Sequence, residues 1–209
     1  MISLFPKKIF NWYFHAKRSS NKIALTFDDG PSEETAKILN ILKENKSKAT
    51  FFIFGKRIKE REKILKQMIK EGHEIGNHSF EHKRLWFKSK RYIEEDLIKT
   101  YEELKKLGIK TNLFRPPGFK IGINLLNICK KLNKKIIFCD VISNDWKKPG
   151  IGKVITKVLR KTKPGSIINF HDYIEGIGSN EEIIPIIKEV IPKLKSKYEL
   201  VAISKLLKD

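Results

Sequence analysis

Ten residues decide the fold: Lys22-Ile-Ala-Leu-Thr-Phe-Asp-Asp-Gly-Pro31. The first six are prone to form a strand, which we predict to end at Asp28, and the Asp-Gly-Pro that follows is typical of a turn. Ser32 is then placed to cap a helix, whose apolar face lies within residues 38–42. Thr35 stands in the third helical position, where we expect its side chain to be too short to complete a capping box. The stretch therefore predicts a strand, a turn and a helix in succession.

The same alternation continues to the C-terminus. Six more strands are predicted, at residues 49–54, 73–77, 112–114, 135–139, 166–170 and 200–203. The helices between them are predicted at residues 57–71, 90–107, 123–131, 152–161 and 181–195. We expect the last helix to be kinked or broken, because it contains Pro185 and Pro192. Strands that alternate with helices predict a parallel sheet, either an open doubly wound sheet or a closed barrel.

Titratable or cationic side chains follow five of the predicted strands. They are Asp28 and Asp29, His78 and His82, Arg115, Asp145, and His171 with Asp172. The carboxyl ends of all strands meet on one rim in a β/α barrel, whereas an open sheet spreads them along a line. The convergence therefore favours a barrel. We predict an α/β domain over residues 21–209, preceded by an apolar and basic N-terminal extension of residues 1–20.

Each of these motifs also has an interpretation without function. The sequence from Asp28 to Pro31 is a common turn, and the three later motifs are each compatible with ordinary loop residues. His78 and His82 have the i, i+4 spacing that brings two imidazoles to one divalent ion if the segment is helical, but such pairs are common. The segment is not HExxH, which disfavours a zincin-type protease. Joint placement on one rim favours function, because the alternative requires five coincidences.

The composition predicts a folded domain and argues against one class of partner. The chain has 209 residues, of which 40% are apolar, and its formal charge is +20. This apolar content excludes wholesale disorder. Cys129 and Cys139 cannot form a disulfide framework or a CxxC zinc ribbon, and we interpret them as core residues. Of the 44 basic residues 37 are Lys, scattered along the chain, so no nucleic-acid partner is expected.

The N-terminal extension is apolar but is not expected to be a membrane anchor or a leader. No stretch reaches the roughly 18 uncharged apolar residues of a spanning helix. Two adjacent lysines interrupt the apolar residues and no small-residue cleavage site follows, so a signal peptide is not predicted. We expect one face of a short helix at Ile9, Phe10, Tyr13 and Phe14, which packs on the domain or lies on a membrane. The protein is predicted to be a monomer, cytoplasmic or peripheral at the membrane.

Taken in order, the five motifs resemble those of the NodB-type polysaccharide deacetylases, carbohydrate esterase family 4. They are Thr26-Phe-Asp-Asp-Gly-Pro31, His78-Ser-x-x-His82, Arg115-Pro-Pro117, Asp145-Trp146 and His171-Asp172. The resemblance implies a distorted (β/α)7 barrel. It also implies metal-dependent removal of the N-acetyl group from N-acetylglucosamine units of a chitin-oligosaccharide- or peptidoglycan-type glycan.

The resemblance also assigns roles to individual residues. The implied ligands of a divalent metal, for which Zn²⁺ is the best candidate, are Asp29, His78 and His82. The implied proton-transfer residues are the base Asp28 with Arg115 to position it, and the acid His171 with Asp145 to tune it. The implied substrate-side residues are Pro117, Gly118, Trp146 and Asn169. One carboxylate and two imidazoles leave an open position on Zn²⁺, as catalytic sites do.

Three positions depart from the pattern of the family. Gly118 follows the Pro-Pro pair directly, where the family usually has an aromatic residue, and Ile142 stands where an Asp is common. Asn169 replaces the Leu that lines the pocket for the acetyl methyl group. This replacement leaves open which acyl group is removed.

Three other functions compete with glycan deacetylation. The first is deacylation of a lipid-linked amino sugar at the membrane surface, which the basic surface and the aromatic N-terminus favour. The second is a non-catalytic carbohydrate-binding barrel, which would be expected to have lost a ligand, the base or the acid, although none is missing. The third is a binder of anionic polymers, for which only the net charge argues.

Overall fold

The computed structural model describes residues 11–208. The strands are β1 (Trp12–Tyr13), β2 (Lys22–Asp28), β3 (Ala49–Ile53), β4 (Glu74–Asn77), β5 (Leu113–Phe114), β6 (Lys135–Ile137), β7 (Val141–Ile142), β8 (Ile167–His171), β9 (Tyr173–Ile174), β10 (Gly178–Ser179) and β11 (Glu199–Leu200). The helices are α1 (Glu33–Glu44), α2 (Glu62–Lys70), α3 (Lys90–Lys106), α4 (Ile123–Lys131), α5 (Ile151–Lys161), α6 (Ile183–Lys195) and α7 (Ile203–Leu206).

Nine of these strands form one sheet. Eight follow each other in the order β1-β6-β5-β4-β3-β2-β8-β7, and β11 also pairs with β2. The pairings are parallel, and the sheet curls into an incomplete barrel with helices around it. Strands β9 and β10 form a separate antiparallel hairpin. The predicted α/β fold, a distorted (β/α)7 barrel, is confirmed.

Strand β2 shows how the sequence covers both faces of the sheet. Leu25 and Phe27 pack outward into the main apolar core, which also contains the buried faces of α1 and α6. Thr26 and Asp28 alternate with them and point into the barrel, where both contact Arg115. Full burial of an apolar side chain of this size contributes about 1.5–3 kcal/mol. Strands covered on both faces are nearly continuous apolar runs, as β2 is up to its last residue.

Two predicted elements have different bounds in the structure. Helix α2 begins later than predicted, because two short 3-10 turns, Gly55–Arg57 and Lys59–Arg61, precede it. The strand predicted at residues 200–203 is shorter and starts one residue earlier, because the chain enters α7 at Ile203.

Two predictions about helices differ from the structure. Helix α6 is not broken: Pro185 lies in its first turn, where a missing N–H has no intrahelical acceptor, and the helix continues past Pro192 in its interior, where a kink stays a prediction. Thr35 does complete a capping box, since its Oγ1 accepts a hydrogen bond from the backbone N–H of Ser32 at 2.7 Å. A threonine hydroxyl is therefore long enough at this helix start.

Strand β7 was missed by the sequence reasoning. Its two residues pair with β8, whereas β6 lies near the opposite end of the sheet, between β1 and β5. The strands predicted at 135–139 and 166–170 follow each other in the chain but are not direct neighbours in the sheet. Two residues carry no periodic signal, so a strand this short cannot be recognised from hydrophobic pattern.

The N-terminal segment belongs to the sheet from Trp12 onward. Trp12 and Tyr13 form the edge strand β1 beside β6, and Phe14 stacks on Phe138 with ring centroids 4.5 Å apart. The predicted helix is therefore wrong at Tyr13 and Phe14, and its other two positions, Ile9 and Phe10, lie outside the described residues. The division into residues 1–20 and 21–209 stays a prediction.

Other features of the described residues agree with the sequence. Cys129 and Cys139 are buried free cysteines in the core, as expected. Among residues 11–208, no helix combines the length and the apolar character that crossing a membrane requires.

Candidate active site

Strand register brings the two proton-transfer candidates together. Asp28, the last residue of β2, is in register with His171 at the end of β8. On its other side it is in register with Phe52 of β3. Residues in register on neighbouring parallel strands are about 5 Å apart and point to the same face. The side chains of Asp28 and His171 therefore share the mouth of the barrel.

Both oxygens of the Asp28 carboxylate are held by buried donors. Oδ1 accepts a hydrogen bond from Arg115 Nη1 at 2.7 Å, and Oδ2 accepts one from Asn169 Nδ2 at 2.8 Å. All three side chains are buried. The carboxylate is therefore fixed in orientation from two sides before any substrate binds.

Arg115 is fully buried, which is rare for arginine. Its Nε and Nη2 donate to the carbonyl oxygens of Ile137 and Phe138, both at 3.1 Å. Nη1 donates to Thr26 Oγ1 as well as to Asp28, and the guanidinium lies 4.0 Å from the centre of the Phe52 ring. Because its nitrogens donate hydrogen bonds to atoms inside the barrel, this side chain is placed to orient Asp28, as the resemblance implied.

Asp29 faces a different set of partners from its neighbour. Its backbone is left-handed, with φ of 71°, and its Oδ1 lies 3.2 Å from His78 Nε2 and 2.8 Å from His82 Nε2. One donor atom from each of the three residues falls within 4.8 Å of the others. The three predicted metal ligands therefore do converge.

The i, i+4 spacing of the two histidines was expected to bring both imidazoles to one ion if the segment is helical. The loop that carries them is not helical. Ser79 and His82 have positive φ angles of 74° and 53°, which turn the chain so that both rings face Asp29. The carboxylate of Asp96 accepts hydrogen bonds from the backbone N–H groups of Phe80 and Glu81, at 3.0 and 2.9 Å. This buried acid on α3 holds the loop in place.

The protonation pattern of the two imidazoles fits a bound cation. His78 Nδ1 lies 2.8 Å from the carbonyl oxygen of Arg115, to which it can only donate, and His82 Nδ1 lies 2.5 Å from a carboxylate oxygen of Glu175. When both rings are neutral, their Nε2 lone pairs face Asp29 Oδ1, which then receives no hydrogen bond from either ring. Three converging lone pairs are what a divalent metal requires.

The charges around the cluster agree with this conclusion. Burial acts to lower the pKa of His82, but the hydrogen bonds and negative charges of Asp29 and Glu175 outweigh it and raise the pKa to about 9. Burial likewise acts to raise the pKa of Asp29, yet the hydrogen bonds and positive charge of the two histidines hold it well below its usual range. The negative charges that raise the pKa of His82 would equally stabilise a bound cation.

On the other side of Asp28, His171 is paired with Asp145. His171 Nδ1 lies 2.9 Å from Asp145 Oδ1, and the His171 backbone N–H donates to Asp145 Oδ2 at 2.8 Å. Ser143 Oγ donates to Asp145 Oδ1 at 2.6 Å, and Asn180 Nδ2 donates to Oδ2 at 3.1 Å. Burial acts to lower the pKa of His171, but the charge and hydrogen bond of Asp145 raise it to about 9.

The four predicted substrate-side residues fall into two groups. Trp146 is 44% exposed and Gly118 is exposed, so both are available at the rim. Pro117 is buried below Gly118. Asn169 is completely buried, and its amide donates to Asp28 Oδ2. We therefore correct the expected position of Asn169: its amide contacts the base from within the barrel.

Several residues of the site were missed by the sequence reasoning. They are Asp96, Ser143, Glu175 and Asn180. Asp96 had a usable signal, since it lies on the same buried helix face as Ile93, Leu97 and Thr100, where a charged residue needs a partner. Glu175 had none, because it is a single acid in the turn between β9 and β10.

Asp172 braces the turn that carries the two aspartates. Its carboxylate accepts a hydrogen bond from Thr35 Oγ1, and its carbonyl oxygen accepts one from Ser32 Oγ at 2.7 Å. A Cβ at Gly30 would collide with this carboxylate, so the turn requires glycine there. Burial raises the pKa of Asp172 to about 7.

Comparison with known proteins agrees with this geometry. The family described as polysaccharide deacetylase matches residues 15–137. A peptidoglycan-N-acetylglucosamine deacetylase of Bacillus cereus is 32% identical over 190 residues, which are 89% of this chain and 88% of the relative. A chitooligosaccharide deacetylase of Sinorhizobium fredii is 30% identical over 72% of this chain and 71% of its own.

A solved structure extends the match to three dimensions. The crystal structure of a peptidoglycan N-acetylglucosamine deacetylase in complex with a substituted N-hydroxybenzamide superposes with a TM-score of 0.91 at 32% identity, and the match covers 96% of this chain and 94% of that one. The chain therefore belongs to the polysaccharide deacetylase family, hydrolases that act on carbon–nitrogen bonds other than peptide bonds.

Proposed function

We propose that this chain removes the N-acetyl group from N-acetylglucosamine units of a peptidoglycan-type glycan and releases acetate, with Zn²⁺ as the metal. One observation carries the proposal: a three-residue ligand set, a separate buried carboxylate and a histidine with a carboxylate partner meet at one mouth of the barrel. A site that only binds carbohydrate has no need of all three.

The residues at the mouth account for the first half of the reaction. A divalent cation held by Asp29, His78 and His82 supplies Lewis acidity, which polarises a carbonyl and lowers the pKa of water. Asp28 accepts the proton that water loses as its oxygen forms a bond to the acyl carbon. Arg115 and Asn169 hold the two carboxylate oxygens of Asp28, so the base does not reorient during the step.

His171 accounts for the second half of the reaction. When the bond between the acyl carbon and the sugar nitrogen breaks, the nitrogen leaves as an amine and takes a proton from the imidazole. Because Asp145 raises the pKa of His171 to about 9, the ring carries that proton at neutral pH. Acetate and the amino sugar are the products, and the proton on Asp28 is returned to solvent or to His171.

The choice of glycan is supported by the relatives. One relative that matches 89% of this chain is named as a peptidoglycan-N-acetylglucosamine deacetylase, another that matches 88% is named as a peptidoglycan-N-acetylmuramic acid deacetylase, and the match to a chitooligosaccharide deacetylase covers 72%. The exposed indole of Trp146 at the rim offers an apolar face on which a sugar ring can stack. Chito-oligosaccharides are the second candidate.

Acetate release tests the proposal. The purified protein is incubated with peptidoglycan, chito-oligosaccharides or lipid-linked amino-sugar precursors, with and without a chelator, and the chelated sample is then given Zn²⁺. We expect release from peptidoglycan, loss with chelator and recovery with Zn²⁺. The His171→Ala variant serves as the control for contaminating enzymes. Absence of release from all three substrates, or release that the chelator does not affect, would contradict the proposal.

The acetate-release test also bears on one alternative function, whereas the oligomeric state and the location need other measurements. Preference for the lipid-linked precursor would favour the alternative of a deacylase at the membrane surface, with the predicted peripheral contact. The monomeric state and the location, cytoplasmic or peripheral at the membrane, stay predictions, which sedimentation and cell fractionation would check.

A further inference from the structure

We propose that Glu175 is a positioning residue for the metal site: its carboxylate holds His82 in the tautomer and orientation that bind the ion. The inference rests on the ligand set of the proposed function. It concerns how firmly the site keeps its metal, and it is separate from the choice of glycan.

The contact is direct and comes from a different part of the chain. Glu175 Oε2 lies 2.5 Å from His82 Nδ1, across 93 residues of sequence. A carboxylate can only accept at this distance, so Nδ1 carries a proton, and in the neutral ring that binds a metal Nε2 keeps the lone pair. Nε2 is the atom that lies 2.8 Å from Asp29 Oδ1. The carboxylate thus determines which nitrogen faces the metal position.

The hairpin that carries Glu175 is itself attached to the site. The ring of Tyr173 lies under the guanidinium of Arg57, 3.7 Å from its central carbon. The same guanidinium donates from Nε to the carbonyl oxygen of Pro31 at 2.8 Å, and Ile174 is buried. Arg57 therefore joins the start of the hairpin to the turn that follows the two aspartates.

The two histidines are supported in different ways. His78 donates to a main-chain oxygen, that of Arg115, deep in the barrel. The partner of His82 is a side chain that is 49% exposed. Partners of this kind orient a ligand and raise its basicity, and their loss typically costs about 10–100-fold in metal affinity. The contribution at His82 can be removed by one substitution, whereas that at His78 cannot.

The chain offers a matched control for the charge. Glu81 precedes His82 directly, and its carboxylate pairs with Lys56 at 2.7 Å. Substitution of Glu81 removes one negative charge near the metal position but leaves the hydrogen bond to His82 Nδ1. A comparison of the two glutamates therefore separates hydrogen bonding from overall electrostatics.

The experiment measures Zn²⁺ affinity by competition with a chromophoric chelator for the wild type and for the variants Glu175→Ala, Glu175→Gln and Glu81→Ala. No substrate is needed, so the result does not depend on deacetylase activity. We expect Glu175→Ala to bind Zn²⁺ about 10–100-fold more weakly. Glu175→Gln should be intermediate, because its amide oxygen still accepts from Nδ1, and Glu81→Ala should stay within about twofold of the wild type.

Histidine ¹⁵N spectra of the zinc-loaded protein give a second readout that a merely structural role would not move. The His82 signals, assigned by comparison with His82→Ala, should show protonated Nδ1 in the wild type and an altered Nδ1 environment in Glu175→Ala. An affinity of Glu175→Ala within about twofold of the wild type would overturn the proposal. Equal weakening in Glu81→Ala would overturn it too, since charge alone would then account for the effect.

Discussion

The two sides of the active site are built differently, although they begin at adjacent residues. On the metal side, Asp29 and His82 have left-handed backbones and lie on loops. On the proton-transfer side, Asp28 and His171 are the last residues of paired strands. Loops bring the three ligand atoms together, whereas the strands hold charges that are matched within the protein.

Each half of the site therefore obtains its stability from a different source. The proton-transfer side is satisfied within the protein, because Asp28 has Arg115 and His171 has Asp145. On the metal side, one ligand atom each from Asp29, His78 and His82 converges, an arrangement that a bound cation would satisfy. Loss of the metal should therefore disturb one side and leave the other intact, and substitutions should separate the two.

The largest effect is expected on the metal side. Asp29→Ala and His78→Ala should lose the metal and all measurable activity, because two remaining ligands cannot hold a catalytic ion. Elemental analysis after dialysis measures the metal content. His15→Ala, a histidine at the opposite end of the barrel beside Ser166, should keep the metal. Full metal content in the His78 variant would show that the ligand assignment is wrong.

Substitution of the neighbouring aspartate should separate the two sides. We expect Asp28→Asn to keep its metal and to lose about 10²–10⁴-fold in turnover, the usual contribution of a positioned acid or base. Asn169 can rotate its amide to accept from the new side chain, but Arg115 is left buried without its counter-ion, so we expect a folded protein of lower stability. Steady-state rates and metal content are measured on the same sample. Loss of metal in this variant would place Asp28 among the ligands.

Disruption of the buried ion pair between Arg115 and Asp28 tests the stability of the proton-transfer side. Arg115→Met leaves the Asp28 carboxylate buried without its counter-ion, which should lower the free energy of unfolding by about 3–5 kcal/mol in denaturant titrations. The double variant Arg115→Met with Asp28→Asn should recover part of the loss, because no unpaired charge remains. Arg91→Met, which removes an exposed pair with Glu95, should change stability by about 1 kcal/mol or less. Similar losses of stability in Arg115→Met and Arg91→Met would refute the argument.

The smallest effect is expected at Asp145. The pKa of His171 is raised to about 9 in the folded protein, so the protonated ring stabilises the fold fully below its unfolded pKa of about 6.5, and that contribution is lost as the pH rises through 9. Asp145→Asn removes the charge that raises the pKa. The upper limb of the pH–rate profile should then move down by about 1–3 units, with metal content unchanged. An unmoved limb would mean that Asp145 only packs the loop.

Much of this site follows from the sequence because chain order in a parallel barrel determines where strand ends meet. Asp28 and His171 were placed on one rim from two apolar runs, and the register confirms that they are neighbours. The path of the chain from the end of β6 to Asp145 was not predictable. It depends on β7, whose two residues are specified by pairing with β8 and not by any local pattern.

The supporting contacts were the least predictable part. Glu175 reaches His82 across 93 residues, and Asn180 reaches Asp145 across 35, so only the folded chain brings them together. Asn169 shows a different limit. Its identity was visible in the sequence, but its direction was not, since the amide points to Asp28 and leaves no part of the side chain exposed.

The N-terminal segment closes the seam of the incomplete barrel. On one side, the carbonyl oxygens of Asn11 and Tyr13 accept from the backbone N–H groups of Ile136 and Phe138, both at 2.7 Å. On the other side, Ala16 N–H donates to the carbonyl oxygen of Gly165 at 2.9 Å. The segment thus bridges β6 and the start of β8.

Removal of this segment would have a consequence for self-association. Strand β6 would become an open edge with unpaired backbone donors, and Phe138 would lose the ring of Phe14 that covers it. Such an edge is a template for pairing with another chain. A protein shortened to residues 21–209 would keep every catalytic side chain and yet be prone to aggregate through β6.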